Sequence, residues 1–238
     1  MSDQTKSSAF STCLEKATLD QRNETARALK GPKSLKQVLK MTKRALARVD
    51  QILHDVAEII PSPQPIACAS QCPYCCHIRV TASPPEILLV LDQIQSTWDE
   101  ESLTALKRKV GNIDGRTRGL DDDARAKLRL PCPLLKNGSC AVHDVRPLSC
   151  RGVSSVDLKS CKAAYNSYMR DGVPMYDPQF QAANAIGYGL YAGLLDQGFD
   201  PENVELTAAL SIGLKSPDIG RSWLKSDDPF APACALKL

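Results

Sequence analysis

The sequence predicts a mainly α protein, a helical scaffold that carries irregular cysteine-rich loops. Three observations predict it. Apolar residues recur at alternating steps of three and four over long stretches, the period of a helix with one buried face. No run alternates strictly between apolar and polar, and aromatics make up only 5% of the 238 residues, which argues against a sandwich of aromatic strands. Finally, eight of the ten cysteines fall in two segments that have no helical period.

The first twelve residues are polar and Ser/Thr-rich, and a frayed tail is expected there. Leu14 to Lys30 can form a helix with a thin apolar face. From Ser34 to Ile60 the pattern is much stronger, with Leu35, Val38, Leu39, Ala45, Leu46, Val49, Ile52, Leu53, Val56 and Ile59 on one side. Ser34 can cap this helix, and Pro61, Pro63 and Pro65 stop it. Ser83-Pro84-Pro85-Glu86 opens a second strong helix that runs to about Trp98. Glu100 to Leu128 reads as helix broken near Gly111–Gly115. A loop from Pro131 to about Val153 follows, then a helix over Asp157–Met169. Gln179 to Leu195 is a helix carrying Gly187, Gly189 and Gly193, which cost propensity but allow close helix contact. Pro201–Leu214 and Asp218–Lys225 are shorter helices. The chain divides into residues 1–62, a polar tail and basic amphipathic helices; 63–170, the cysteine-bearing region; and 171–238, a helical region packing on it.

A hydrophobic share of 43% supports a Leu/Ile/Val/Ala core and excludes a wholly disordered chain. Thirty basic and 27 acidic residues leave a net charge of only +3, which points to no polyanionic partner. No apolar run approaches the roughly 20 residues needed to cross a bilayer. The first eight residues, Met1 to Ser8, lack the apolar stretch of a secretory signal, so a cytoplasmic location is expected. In that reducing compartment cysteines persist as thiols or metal ligands and rarely as disulfides.

The first cysteine segment carries Cys68, Cys72, Cys75 and Cys76, followed by His77; the second carries Cys132, Cys140, Cys150 and Cys161. Short gaps that return through a distant second group are how a chain brings several thiolates to one soft metal. Pro73 suits the first turn of a helix, which would place Cys75 and Cys76 where the helix dipole favours thiolate. Adjacent cysteines point in different directions, so Cys75 and Cys76 are expected to take different roles. Cys13 and Cys234 stand outside the segments and read as small buried hydrophobes.

These residues carry a resemblance. The first segment, together with Cys132-Pro133-Leu134-Leu135, Gly138-Ser139-Cys140-Ala141-Val142-His143 and Arg146-Pro147-Leu148-Ser149-Cys150-Arg151, resembles the YkgJ-like cysteine-cluster family. That family is known for zinc- or iron-chelating domains with a CxxCxxCC signature. The resemblance spans roughly Cys68 to Cys161. It departs at the first gap, three residues here rather than two, and at His143, where the family usually has Tyr. It implies that the eight clustered cysteines hold zinc or iron, an iron–sulfur cluster included, and that the metal ties the loops onto the helices. A flagellin lysine methylase with an iron–sulfur cluster is one relative, but no Gly-rich loop for S-adenosylmethionine follows a strand here, so methylation is not carried over.

Cysteine ligation suits zinc and iron–sulfur clusters alike. Arg146 and Arg151 are the leading partners for excess thiolate charge, with Arg79, Lys159 and Lys162 further candidates; His77 and His143 are candidate neighbours of the metal. Between Arg27 and Arg48, Lys33, Lys36, Lys40, Lys43 and Arg44 form a basic stripe without acidic residues. It can meet nucleic acid or an acidic partner, although a solvated helix face is the simpler reading. Asp121–Asp123 lack calcium-loop spacing and read as helix-start carboxylates. No nucleophile elbow, P-loop or H-E-x-x-H motif is found, so no catalytic residue is assigned. Three functions remain open: a metal-binding protein, an iron–sulfur redox or protein-modifying enzyme, and a metal-stabilised module that binds through residues 27–48.

Overall fold

The structure, a computed structural model, describes residues 3–199, 201–225 and 227–234. Among them are ten α-helices: α1 (Asp3–Ala28), α2 (Leu35–Ile59), α3 (Pro84–Thr97), α4 (Glu100–Thr117), α5 (Asp122–Leu128), α6 (Leu148–Gly152), α7 (Leu158–Asn166), α8 (Asp177–Leu195), α9 (Leu206–Gly213) and α10 (Ile219–Leu224). Strands are confined to two antiparallel ribbons of two residues a side. The hairpin β2 (Leu135–Lys136) and β3 (Ser139–Cys140) pairs Leu135 with Cys140. The second ribbon joins β1 (Thr81–Ala82) to β4 (Val204–Glu205), Thr81 facing Glu205. The fold is mainly α, as the sequence periods require.

The strongest expected helices form for the expected reasons. Ser34 caps α2 through a capping box: its Oγ accepts from Gln37 N at 3.3 Å, and Gln37 Oε1 accepts from Ser34 N at 3.0 Å. Val38, Met41, Ala45, Leu46 and Val49 of α2 are buried, so the stripe read from the sequence is the face turned to the core. Helix α3 is buried from Pro84 to Leu91 and lies inside the molecule, with α2 on one side and α9 on another. That explains why its sequence is apolar nearly all round. Asp121 caps α5 by accepting from Ala124 N at 2.7 Å, the role expected of that acidic run.

Three elements differ from expectation. Residues 3–13 are helical, within α1, and not a frayed tail. The reason is tertiary: α1 lies along α8, where a Cβ on Gly189 would come within 2.4 Å of the Thr18 carbonyl oxygen and one on Gly193 within 2.5 Å of Thr25 Cβ. Glycine at these two positions lets the backbones approach and buries Gln21 and Thr25 between them, with Gln21 Nε2 donating to Thr25 Oγ1 at 2.9 Å. Gly187 makes no such close approach. Helix α4 runs unbroken through Gly111 and Gly115, because Val110, Ile113 and Asp114 between and beside them are buried; the chain breaks at 118–121 instead. Finally, the stretch after Pro201 begins as strand β4 and turns helical only at Leu206.

No helix among the described residues is long and apolar enough to cross a membrane.

Candidate functional site

The first cysteine segment runs in extended and turn conformations between α2 and β1. The helix expected at Pro73 is a single 3-10 turn, Tyr74–His77. One tight turn has almost no macrodipole, so the expected preference for thiolate does not arise. The Cys75 thiol is instead pushed well above the usual thiol range, first by its hydrogen bond with the Cys76 side chain and then by desolvation. Both adjacent cysteines lie in this one turn.

Backbone contacts bring the second segment onto the first. Cys132 N donates to Cys76 O at 2.6 Å, and Ala67 N donates to Ser155 O at 2.8 Å. Ser155 N in turn points at Cys68 Sγ, 3.3 Å away. The tip of the β2–β3 hairpin lies on Gln71, where a Cβ on Gly138 would stand 3.4 Å from Gln71 Cβ. From α7, Tyr165 meets His77 edge-on at 4.8 Å and Tyr74 at 5.9 Å. Ser149 Oγ donates to Thr81 O at 2.7 Å. Residues more than fifty apart in sequence thus share one region.

Within that region the thiols fall into two neighbourhoods. Cys132, Cys140, Cys150 and Cys75 lie within electrostatic reach of one another. Burial pushes the Cys132 thiol up to about 11 and also raises Cys140 and Cys150, with neighbouring thiolate charge adding to it. Cys72, raised chiefly by burial, feels Cys68, Cys161 and the shared Cys75. The eight cysteines of the two segments are free thiols. In kind this donor set suits a soft metal. In position it stops short of a ligand shell: among the described residues no three His, Cys, Asp or Glu side chains stand together closely enough to hold an ion.

Of the expected charge partners, Arg146 is the one whose field reaches Cys75, Cys140 and Cys150. Desolvation lowers its own pKa, followed by repulsion from Arg151. Arg151, only 5% exposed, braces the loop before it by donating to the carbonyls of Asp144 and Arg146 and pairing with Asp50 of α2 at 2.5 Å. His77 Nδ1 faces Pro73 O at 3.0 Å and its ring packs on Tyr165. His143 contacts Arg146 and lies near the exposed Asp144. Arg79 pairs with Asp122 at 2.7 Å, outside the thiol neighbourhoods. Lys159 and Lys162 lie on α7, where Lys159 N donates to the capping Asp157 at 2.8 Å.

In the basic stripe, Lys33 donates to Gln197 O at 2.9 Å and covers the Phe199 ring, and Arg44 stands 3.7 Å from Glu24. Lys36, Lys40 and Lys43 are exposed. Cys13 packs against the small cluster of Phe10, Val56 and Ala182, and Cys234 against the main core, as small hydrophobes do.

Two groups beside the thiols carry no motif. Half-buried Lys109 donates to Leu135 O at 2.9 Å and lies near Cys132; desolvation lowers its pKa. Buried Glu86 binds both the start of α3 and Leu148 N, at 2.7 Å. The capping-box spacing Ser83-x-x-Glu86 signals the first contact, whereas nothing in the sequence announces the second.

Backbone strain marks the same region. Non-glycine residues with positive φ are Gln71, Arg129, Asn137, Tyr168 and Met169, and each lies in or beside a cysteine-bearing stretch. Asn137-Gly138 suits a tight hairpin turn. The bulky Tyr168 and Met169 have no such excuse; left-handed residues of this kind cost about 1–3 kcal/mol each and cluster at functional sites.

No family model matches the chain, and neither does any curated protein or solved structure.

Proposed function

We propose that this chain is a metal-binding protein of the cysteine-cluster type, which chelates zinc or iron through Cys68, Cys72, Cys75, Cys76, Cys132, Cys140, Cys150 and Cys161. One observation carries the reading: two segments more than fifty residues apart in sequence are laid against each other so that free thiols gather in one region. Crowded thiols without a disulfide disfavour one another's ionisation, and a soft cation is the group that relieves that repulsion. The resemblance to the YkgJ-like family supports the same chemistry. Bound metal would supply cohesion between the two segments, since a ligand held only by the folded chain stabilises it. Half-buried Cys132, Cys140 and Cys150, with the exposed Cys75 near them, form one set of donors; Cys68, Cys72 and Cys161 form the other. Arg146 sits where it offsets thiolate charge. The reading places the chain in a reducing compartment such as the cytoplasm.

Elemental analysis and an absorption spectrum, on protein purified without oxygen, test this. Stoichiometric zinc in a colourless protein or iron in a brown one supports the reading and fixes the metal. Cys132→Ser and Cys150→Ser should then lose metal, whereas Cys13→Ser should keep it. Wild-type protein that is folded and metal-free after purification and after incubation with zinc or ferrous iron overturns it.

A further inference from the structure

We infer that Glu86 is a positioning residue for the thiol neighbourhood, holding α6 and with it Cys150 in place. The inference rests on the metal-binding reading for its purpose but not for its geometry. Glu86 is 5% exposed, and both of its carboxylate oxygens are occupied. One, Oε2, accepts from Ser83 N at 2.8 Å and from Ser83 Oγ at 2.6 Å, closing the first turn of α3 on itself. The other, Oε1, reaches across to the first residue of α6 and accepts from Leu148 N at 2.7 Å.

That second bond is unusual in what it joins. Helix α6 is five residues long, Leu148–Gly152, too short to be stable on its own hydrogen bonds. Its cap residue, Pro147, offers no side-chain hydrogen bond, so Glu86 supplies from sixty-two residues away the acceptor that a local cap would give. Helix α3 is buried along most of its length and is among the most firmly seated elements of the core. A carboxylate fixed to its first turn therefore transmits that firmness to Leu148, and Cys150 lies two residues on. The remaining side-chain ties of α6 run to other elements: Arg151 to Asp50 of α2, Ser149 to Thr81 O of β1, and Gln179 of α8 to Arg151 O at 2.8 Å. Among the described residues Glu86 is the side chain of α3 that is hydrogen-bonded to α6.

Glu86→Gln replaces one of the two carboxylate oxygens by an NH2 group, which cannot accept, so the side chain can no longer serve Ser83 and Leu148 N at once, at nearly unchanged volume. Two measurements read the effect. In metal-free protein, site-resolved alkylation by iodoacetamide is expected to label Cys150 several-fold faster in the variant, with Cys13 and Cys161 unchanged. In protein titrated with zinc, affinity should fall about ten- to a hundred-fold, the usual effect of removing a group that orients a ligand. Glu86→Asp, which keeps the acceptors on a shorter arm, should recover part of both. If Glu86→Gln fails to fold, Ser83→Ala, which loosens the carboxylate from the other side, should speed Cys150 labelling in the same sense by a smaller factor. Faster Cys150 labelling in a chain that binds no zinc at all upholds the positioning role and removes the metal reading. Unchanged labelling and unchanged zinc affinity in folded Glu86→Gln overturn the positioning role and leave the metal reading standing.

Discussion

Helices α1 and α8 and the two cysteine segments both join stretches of chain far apart in sequence, but the joints are made differently. Between α1 and α8 the contact is backbone against backbone across Gly189 and Gly193, with Thr18 Oγ1 donating to Ala185 O at 3.0 Å and Arg22 paired with Asp196 at 2.7 Å. Close packing and satisfied polar groups account for that joint in full. Around Cys132 the segments meet through a few single hydrogen bonds, half-buried thiols and left-handed residues. Leu134, Val142 and Val145 of the second segment belong to the main core and Cys132 and Cys140 pack against it, while Tyr168 and Met169 hold left-handed strain beside them. The difference teaches that the first joint is closed by packing and satisfied polar groups alone, whereas the second sets free thiols at the edge of the core, where the proposed metal would add cohesion.

The comparison can be broken or sharpened by experiment. The largest effect is expected from removing metal. Chelator treatment should speed hydrogen exchange across 66–82 and 130–166 by orders of magnitude, while α1 and α8 stay protected. Uniform loss of protection in both regions would erase the distinction drawn between them. Next, Gly193→Val should cost about 3 kcal/mol in urea denaturation, because the new side chain has only occupied space to enter. Metal content per folded molecule should be unchanged. Ser34→Ala removes one half of the α2 capping box and should cost about 1 kcal/mol in the same assay.

The smallest effect is a pH dependence. Asp157 caps α7, the helix that carries Cys161, and its carboxyl is held below the ordinary aspartate range chiefly by the Ser160 hydroxyl, 2.5 Å away. A depressed folded pKa means that the cap's contribution is complete above the unfolded aspartate value near 3.9 and is lost as pH falls through the folded value. A carboxyl NMR titration should therefore place the Asp157 midpoint below the ordinary aspartate value, and Asp157→Asn should flatten the acid-side loss of α7 protection. An ordinary aspartate midpoint at Asp157 would remove this cap from the account.

Much of the helical scaffold was legible in the sequence because its signals are local. The stripe from Leu35 to Ile59, the Ser34 and Ser83 caps and the Asp121 helix start each lie within one or two turns of the residues they organise. The helicity of residues 3–13 was not legible, since it depends on α8, over 170 residues away. Nor was the continuity of α4, where buried Val110 and Ile113 outweigh the weak propensity of Gly111. At the site, the cysteines were legible as a set from their spacing. Their neighbours Lys109 and Glu86 were not, because a lysine or glutamate in an ordinary helical pattern looks like any solvated residue until the fold buries it.

By itself the sequence determined a mainly α chain with two cysteine segments, because hydrophobic period, capping and residue type act over a few residues. Only the tertiary structure decided which thiols are neighbours, that Cys75 and Cys76 lie in one tight turn, and that α6 is held by a carboxylate on α3. Those outcomes follow from long-range packing, in which each contact depends on where whole helices come to rest and no short stretch of sequence records it.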